Sequence, residues 1–258
     1  MNPAVIGGLF AGFLTIGILL MLEFGRRIRR RQQARHPDAM AQGLGAVEGA
    51  VFGLMGLLLA FTFSSAASRF DLRRQQIIDE VNNIGTAYLR LDLLAPETGT
   101  AIKEKVREYV DARIDTYRSI PDFAKVNAAL ARTAQLQQEI WTRSVAAVHE
   151  VPDGQATIVL LPALNEMFDI ASSRIAITRM HPPAVIYAML FMLTMICSFL
   201  AGYDMGAETT RSWVHMIGFA LILGLAVYVI VDLEYPRMGL IRLDEFDQLM
   251  VSLRAQLR

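Results

Sequence analysis

One cysteine, Cys197, stands in 258 residues. An intramolecular disulfide is excluded, and the redox compartment is left open. Charge is also scarce. Asp, Glu, Lys and Arg make up 19% of the chain, against about 25% in an ordinary soluble domain. The charge that is present balances, with 25 basic and 25 acidic residues. There is thus no excess of one sign to hold nucleic acid, and no basic face with interleaved aromatics. Strand-like alternation of any length is missing. So are the marks of common catalytic sites: no Gly-rich dinucleotide or phosphate loop, no Gly-x-Ser-x-Gly and no His-Glu-x-x-His. The four histidines, His36, His149, His181 and His215, stand too far apart for a local metal pair. These absences point away from an enzyme and away from a metal or cofactor site. The scarcity of charge beside 53% hydrophobic residues also rules out a plain cytoplasmic enzyme.

What is present is long apolar sequence. Four runs reach the roughly 20 residues needed to cross a bilayer: 3–22, 44–63, 183–203 and 213–231. Together they hold one formal charge, Glu48. The first run has its basic residues after it and no small-residue cleavage site, so it reads as a retained span. Arg26, Arg27, Arg29, Arg30, Arg31 and Arg35 follow it and read as a juxtamembrane loop.

Residues 64–182 are water-soluble in composition and read as helical. After the second span, Ile77, Val81, Ile84, Tyr88 and Leu91 recur at steps of four and three, a helix stripe with coiled-coil spacing. The span and this helix read as one rod, with a bend allowed at Ser64 and Ser65. Residues 95–99 read as a break. A second helix carries Ile102, Val106, Tyr109, Arg113 and Tyr117 on one side. Ser119 as N-cap, Pro121 and Asp122 open a third helix, whose stripe reads Phe123, Val126, Leu130, Ala134, Gln137 and Trp141. A turn at 151–154 leads to a fourth helix over 155–180, with a kink expected at Pro162. His181, Pro182 and Pro183 end it. The expected fold is all-α: four transmembrane helices with a four-helix extramembrane domain inserted between spans two and three. Its expected parts are 1–63, 64–182, 183–232 and a C-terminal tail, 233–258, on the domain side.

The second span holds the most informative residues. Gly45, Gly49, Gly53 and Gly56, extended by Ala60, form a small face that lets another helix approach closely. Another face carries Glu48, Phe52, Met55, Leu59 and Phe63. Two readings of that face stand. It lines a pore in a ring of identical helices, with Glu48 as an acidic mouth above an apolar constriction. Otherwise Glu48 reaches water at interface depth, and the large residues meet lipid or other helices. Three acidic or polar pairs stand out elsewhere: Asn165 with Asp169, Asp204 with Glu208, and Asp232 with Glu234. Each reads either as an ion or salt-bridge site or as capping and interface anchoring.

Some of these residues are familiar. The run from Leu59 through Ser64, Ser65, Arg69 and Phe70 to Asp71, then Glu80, Val81, Asn82, Asn83 and Ile84, resembles the second membrane helix of bacterial bestrophins and its exit. Over nearly the full length the chain is similar to a bestrophin-like family of bacterial membrane proteins. The matching pieces are Gly85-Thr86-Ala87, Leu91-Asp92-Leu93-Leu94, Pro162-Ala163-Leu164-Asn165 and the stretch from Asp232 to Arg237. True bestrophins are pentameric ion channels whose second span lines the pore and forms a hydrophobic neck. The resemblance therefore implies a channel, with Phe52, Leu59 and Phe63 as neck residues. The calcium-binding acidic cluster of animal bestrophins has no counterpart here.

The expected protein is a multi-pass homo-oligomer, five copies being the number the resemblance implies, in a bacterial inner membrane. It conducts small ions, cations if Glu48 forms an acidic ring, with the lipid bilayer as its other partner. The alternative is a non-conducting interaction or signalling protein that uses the stripe from 77 to 91 as a partner surface. Basic residues near the span ends divide evenly between the two faces. Weighting the short loop 23–43 puts that loop inside and the helical domain outside. The resemblance implies the domain inside.

Overall fold

The computed structural model describes residues 3–35, 45–150, 154–208, 212–237 and 239–257. Among them are eight α-helices, one short 3-10 turn and no strand: α1 (Pro3–Arg35), α2 (Gly45–Arg90), the 3-10 turn (Leu91–Leu93), α3 (Pro96–Arg118), α4 (Phe123–Val148), α5 (Gln155–Thr178), α6 (Ala184–Met205), α7 (Trp213–Glu234) and α8 (Asp244–Gln256). Four of them, α1, α2, α6 and α7, are long and apolar enough to cross a membrane. The expected all-helical architecture with four spans is present.

Several boundaries differ from expectation for local reasons. The arginine segment is no loop as far as Arg35, because arginine is a good helix former and continues α1. The remainder of the expected loop, 36–43, lies outside the described residues. α2 runs 46 residues without interruption at Ser64 or Ser65, about 70 Å at 1.5 Å per residue, so its second half extends well beyond the apolar span. Of the break expected at 95–99 only Ala95, the N-cap of α3, is non-helical. Pro96 opens α3 at a position where its missing N–H costs nothing. The break is instead the 3-10 turn and Leu94. Gly99 is needed there, since a Cβ would stand 2.8 Å from the Leu91 carbonyl oxygen. Asp122, rather than Ser119, is the N-cap of α4, and its carboxylate accepts from the Lys125 amide at 3.2 Å. The expected tail carries a helix, α8.

The chain forms two compact units, Met1–Phe70 with His181–Arg242 and Asp71–Met180 with Leu243–Arg258. In the first, α6 and α7 pack on α1 around Leu14, Ile18, Leu22, Leu190, Cys197, Ala220 and Val227. The close approach is made by glycine. A Cβ on Gly202 would lie 2.0 Å from the Leu22 carbonyl oxygen, and one on Gly25 2.1 Å from that of Phe199. Outward-facing Leu9, Phe13, Ile16, Leu20, Ile222 and Leu225 are exposed, the surface expected of helices whose solvent is lipid.

In the second unit α2, α3, α4, α5 and α8 share a core of Ile84, Leu91, Val106, Tyr109, Leu136, Ile140, Leu164 and Met250. The stripes read on α2 and α3 are the buried faces, with Val81 half-buried. The surface proposed for a partner is thus used within the chain. The α4 stripe is wrong by a rotation of the helix. Phe123 and Trp141 are exposed, and the buried side is Thr133, Leu136, Ile140, Ser144 and Ala147. Thr133 hides its hydroxyl by donating to the Ala129 carbonyl at 2.9 Å.

Candidate functional site

Three sequence-distant segments of the first unit meet at the exit of the second span. Arg69, six residues past the end of the apolar run, donates from Nε to both carboxylate oxygens of Glu234, at 2.8 and 3.1 Å. His181, just before α6, places Nδ1 3.1 Å from Glu234 Oε1 and stacks its ring on Tyr235 with centroids 4.7 Å apart. Glu234 is 1% exposed. Directly upstream, Asp232 accepts from the amides of Leu240 (3.0 Å) and Ile241 (2.8 Å) and closes the turn after α7. That turn requires glycine at 239, because a Cβ there would sit 1.2 Å from Asp232 Oδ1. The acidic pair at 232 and 234 therefore has two roles. Asp232 caps a turn, and Glu234 ties the end of α7 to α2 and to the entry of α6.

This arrangement carries an asymmetric prediction. Arg69 keeps some access to solvent while Glu234 has none. Removing the arginine takes its paired cation from a buried carboxylate, whereas neutralising the carboxylate leaves a cation that can rehydrate. Arg69→Ala is expected to cost about 2–3 kcal/mol and Glu234→Gln distinctly less, read as loss of melting temperature in detergent. Equal losses would contradict the asymmetry.

At the opposite end of the same unit, Glu48 is buried beside Asp204 and Arg29. Arg29 lies over the Tyr203 ring at 4.8 Å, and Tyr203 donates to Gln32 Oε1 at 2.7 Å. Met55 is buried in the apolar cluster, Phe52 and Leu59 are half-buried against it, and Phe63 is exposed. Gly45, Gly49, Gly53 and Gly56 are exposed, with open space where a Cβ would stand. Glu208 is exposed, and its backbone carbonyl accepts from Arg30 at 3.1 Å. Asn165 donates to Asp169 at 2.9 Å on the exposed side of α5. The pairs 204/208 and 165/169 do not converge with other acidic groups on a metal site among the described residues.

The second unit is centred on charge that sequence reasoning did not assemble. Glu80 is fully buried between two guanidiniums. Arg113 Nε donates to Oε1 at 2.5 Å and Arg174 Nη1 to Oε2 at 2.6 Å. Arg174 continues to Asp247 on α8 at 2.8 Å and stacks on Tyr117, 3.7 Å from the ring centroid. Arg113 also donates to the Tyr117 hydroxyl at 2.8 Å. Burial pushes the Glu80 carboxyl up, but Arg113 and Arg174 together outweigh that and hold it below the usual carboxylate range. Two carboxylates and two guanidiniums balance, so the core stays neutral while charged.

The family model described as the Bestrophin-like domain matches residues 11–245. No curated protein and no solved structure matches the chain.

Proposed function

The chain belongs to the bestrophin-like family, and from that premise we propose that it is an oligomeric ion channel with α2 around the pore. Bestrophins are commonly oligomeric ion channels rather than enzymes, which supports the class. The observation that carries the finer reading is the open side of α2. Within the chain 11% of its most apolar stretch is buried, against 33% for α7. Its glycine face has no neighbour among the described residues. A membrane helix left this bare, with small residues every third or fourth position, is suited to other copies of itself.

In this reading Gly45, Gly49, Gly53, Gly56 and Ala60, with Phe63 at the far end, face neighbouring copies and the axis. Glu48, Phe52, Met55 and Leu59 act from within the chain and set the rotation of α2 about its own axis. The cation preference expected from an acidic ring then loses its basis, because Glu48 is covered by its own chain. Small ions pass, and the glycine arc sets the width available to them. Purified protein in planar bilayers is expected to give discrete single-channel currents. A Gly53→Cys chain in a Cys197→Ser background is expected to form an α2-to-α2 disulfide dimer, and amine-reactive crosslinking of the wild-type chain through its lysines is expected to give ladders above the dimer. Silence in the bilayer, no disulfide at residue 53, or amine crosslinks that stop at the dimer, would count against the proposal.

The arginine-rich end of α1 is assigned to the cytoplasmic side, by the weight that short basic segments carry in orientation. The spans alternate, so residue 120 then lies outside. A periplasmic reporter fused at residue 120 is expected to be active, and activity of a cytoplasmic reporter there would reverse the assignment.

A further inference from the structure

One face of α1 changes chemistry without changing direction. Leu9, Phe13, Ile16, Leu20 and Phe24 are exposed. They follow one another at steps of four, three, four and four, the spacing of a single helix face. On a helix that crosses a bilayer this is the face turned to acyl chains. The same steps lead on from Phe24 to Arg27, Arg31 and Arg35, all three exposed. The lipid-facing stripe thus ends in an arginine stripe. The other basic residues of α1 turn elsewhere. Arg26 and Arg29 are buried, and Arg30 donates to the Glu208 carbonyl at 3.1 Å.

Depth and charge decide what the stripe meets. Arg27 stands five residues past Leu22, the last residue of the first apolar run, or about 7.5 Å along the axis. The headgroup layer is about 5–7 Å thick on each side of the hydrocarbon. Arg31 stands about 6 Å farther out. Helical side chains lean toward the N-terminus, which on α1 is back toward the bilayer, and long basic side chains bend to the headgroups. Arg35 is a further turn out, at the reach of a Debye length of about 8–10 Å. Against these cations α1 holds one acidic residue, Glu23. It accepts from Arg27 Nε at 2.8 Å and also lies 3.6 Å from Arg26. The Arg27 side chain is still 69% exposed, so its outer N–H groups are open to a phosphate. The stripe carries positive charge in excess at the level where phosphates stand.

We propose that Arg27, Arg31 and Arg35 dock anionic phospholipid, its phosphate between guanidiniums one turn apart and its acyl chains along Phe24, Leu20 and Ile16. A zwitterionic lipid brings its own ammonium to the same place and is held less well. The test is native mass spectrometry of the full chain in detergent, with phosphatidylglycerol or phosphatidylethanolamine added at equal concentration. Wild type is expected to retain phosphatidylglycerol in preference. The triple variant Arg27→Gln, Arg31→Gln, Arg35→Gln is expected to retain it at least tenfold less. Lys125→Gln with Arg143→Gln, at exposed positions of α4, is expected to match wild type. Glutamine is nearly as good a helix former as arginine, so the triple variant is expected to keep its helix content. If it does not, Arg31→Gln alone carries the test, with a loss of about fivefold and a smaller one for Arg35→Gln. Equal retention of the two lipids by wild type, or undiminished retention of phosphatidylglycerol by the arginine variants, would overturn the proposal. A crosslinked ladder that shortens in the triple variant while lipid retention holds would also overturn it, by making a second copy of the chain the occupant.

Discussion

Arg113→Ala is expected to cost about 3–5 kcal/mol, the penalty for stranding one member of a buried ion pair. Against an ordinary folding stability of about 5–15 kcal/mol that is a large share. The reason is geometric. Glu80 is inaccessible to water, and among the described residues Arg113 is the largest fully buried side chain. Removing the guanidinium leaves Glu80 with Arg174 alone and opens a hole between α2 and α3. Replacing both members by neutral groups of similar shape, Arg113→Met with Glu80→Gln, is expected to cost less than Arg113→Met alone, because no charge is then stranded. Helix content followed through thermal unfolding in detergent measures all three. A loss below about 1 kcal/mol for Arg113→Ala would show that the network does not hold this unit.

The same network sets an acid limit. The Glu80 carboxyl is held below its unfolded value, which is about 4.3. The folded state therefore binds fewer protons than the unfolded state between the two values. Its contribution is complete above the unfolded value and is lost as pH falls toward the folded one. Stability of the second unit is expected to be flat from neutral pH down to about 5 and to drop below about 4, with the drop removed in the Arg113→Met, Glu80→Gln pair.

Gly202→Ala is the second large effect. The added carbon would stand 2.0 Å from the Leu22 carbonyl oxygen, and the obstructing atom is backbone rather than a flexible side-chain end. α1 and α6 must then move apart along their whole contact. Overpacking of this kind costs about 1–3 kcal/mol where neighbours can yield, and here they cannot without separating two helices. Loss of helix content and of melting temperature in detergent is the expected outcome, with Gly25→Ala behaving alike. Gly49→Ala makes the useful contrast. None of the described residues lies near it, so the fold of the single chain is expected to be untouched. Folding of Gly202→Ala at wild-type stability would contradict the crossing.

These two sites show what could be read from the amino acids and what could not. The four spans and the stripes of α2 and α3 were legible because hydrophobic burial repeats with the helix. Arg113 was even placed on the right face. Its partner Glu80 lies 33 residues away and Arg174 a further 61, and no local pattern announces a contact made by tertiary packing. The glycines divide in the same way. Gly45, Gly49 and Gly53 attract notice by their period, whereas Gly25 and Gly202 meet across two helices without any period at all. On α4, large Phe123 and Trp141 drew the stripe to the wrong side. The buried side uses Thr133, Ser144 and Ala147, which are small, and Thr133 bonds back to the helix. At the exit of the second span, the stretch from Asp232 to Gly239 was visible as a cluster. The meeting of Glu234 with Arg69 and His181 depends on three chain segments arriving together, and only the folded chain shows it.

The central claim is that α2 borders a conducting axis through its bare glycine face. Single-channel recording of Gly53→Cys in a Cys197→Ser background, before and after a water-soluble thiol reagent, tests it most directly. The account predicts unitary current that the reagent blocks, and no effect of the reagent on Cys197→Ser alone. Current that persists unchanged after modification of residue 53, or no current from the wild-type chain, would contradict it.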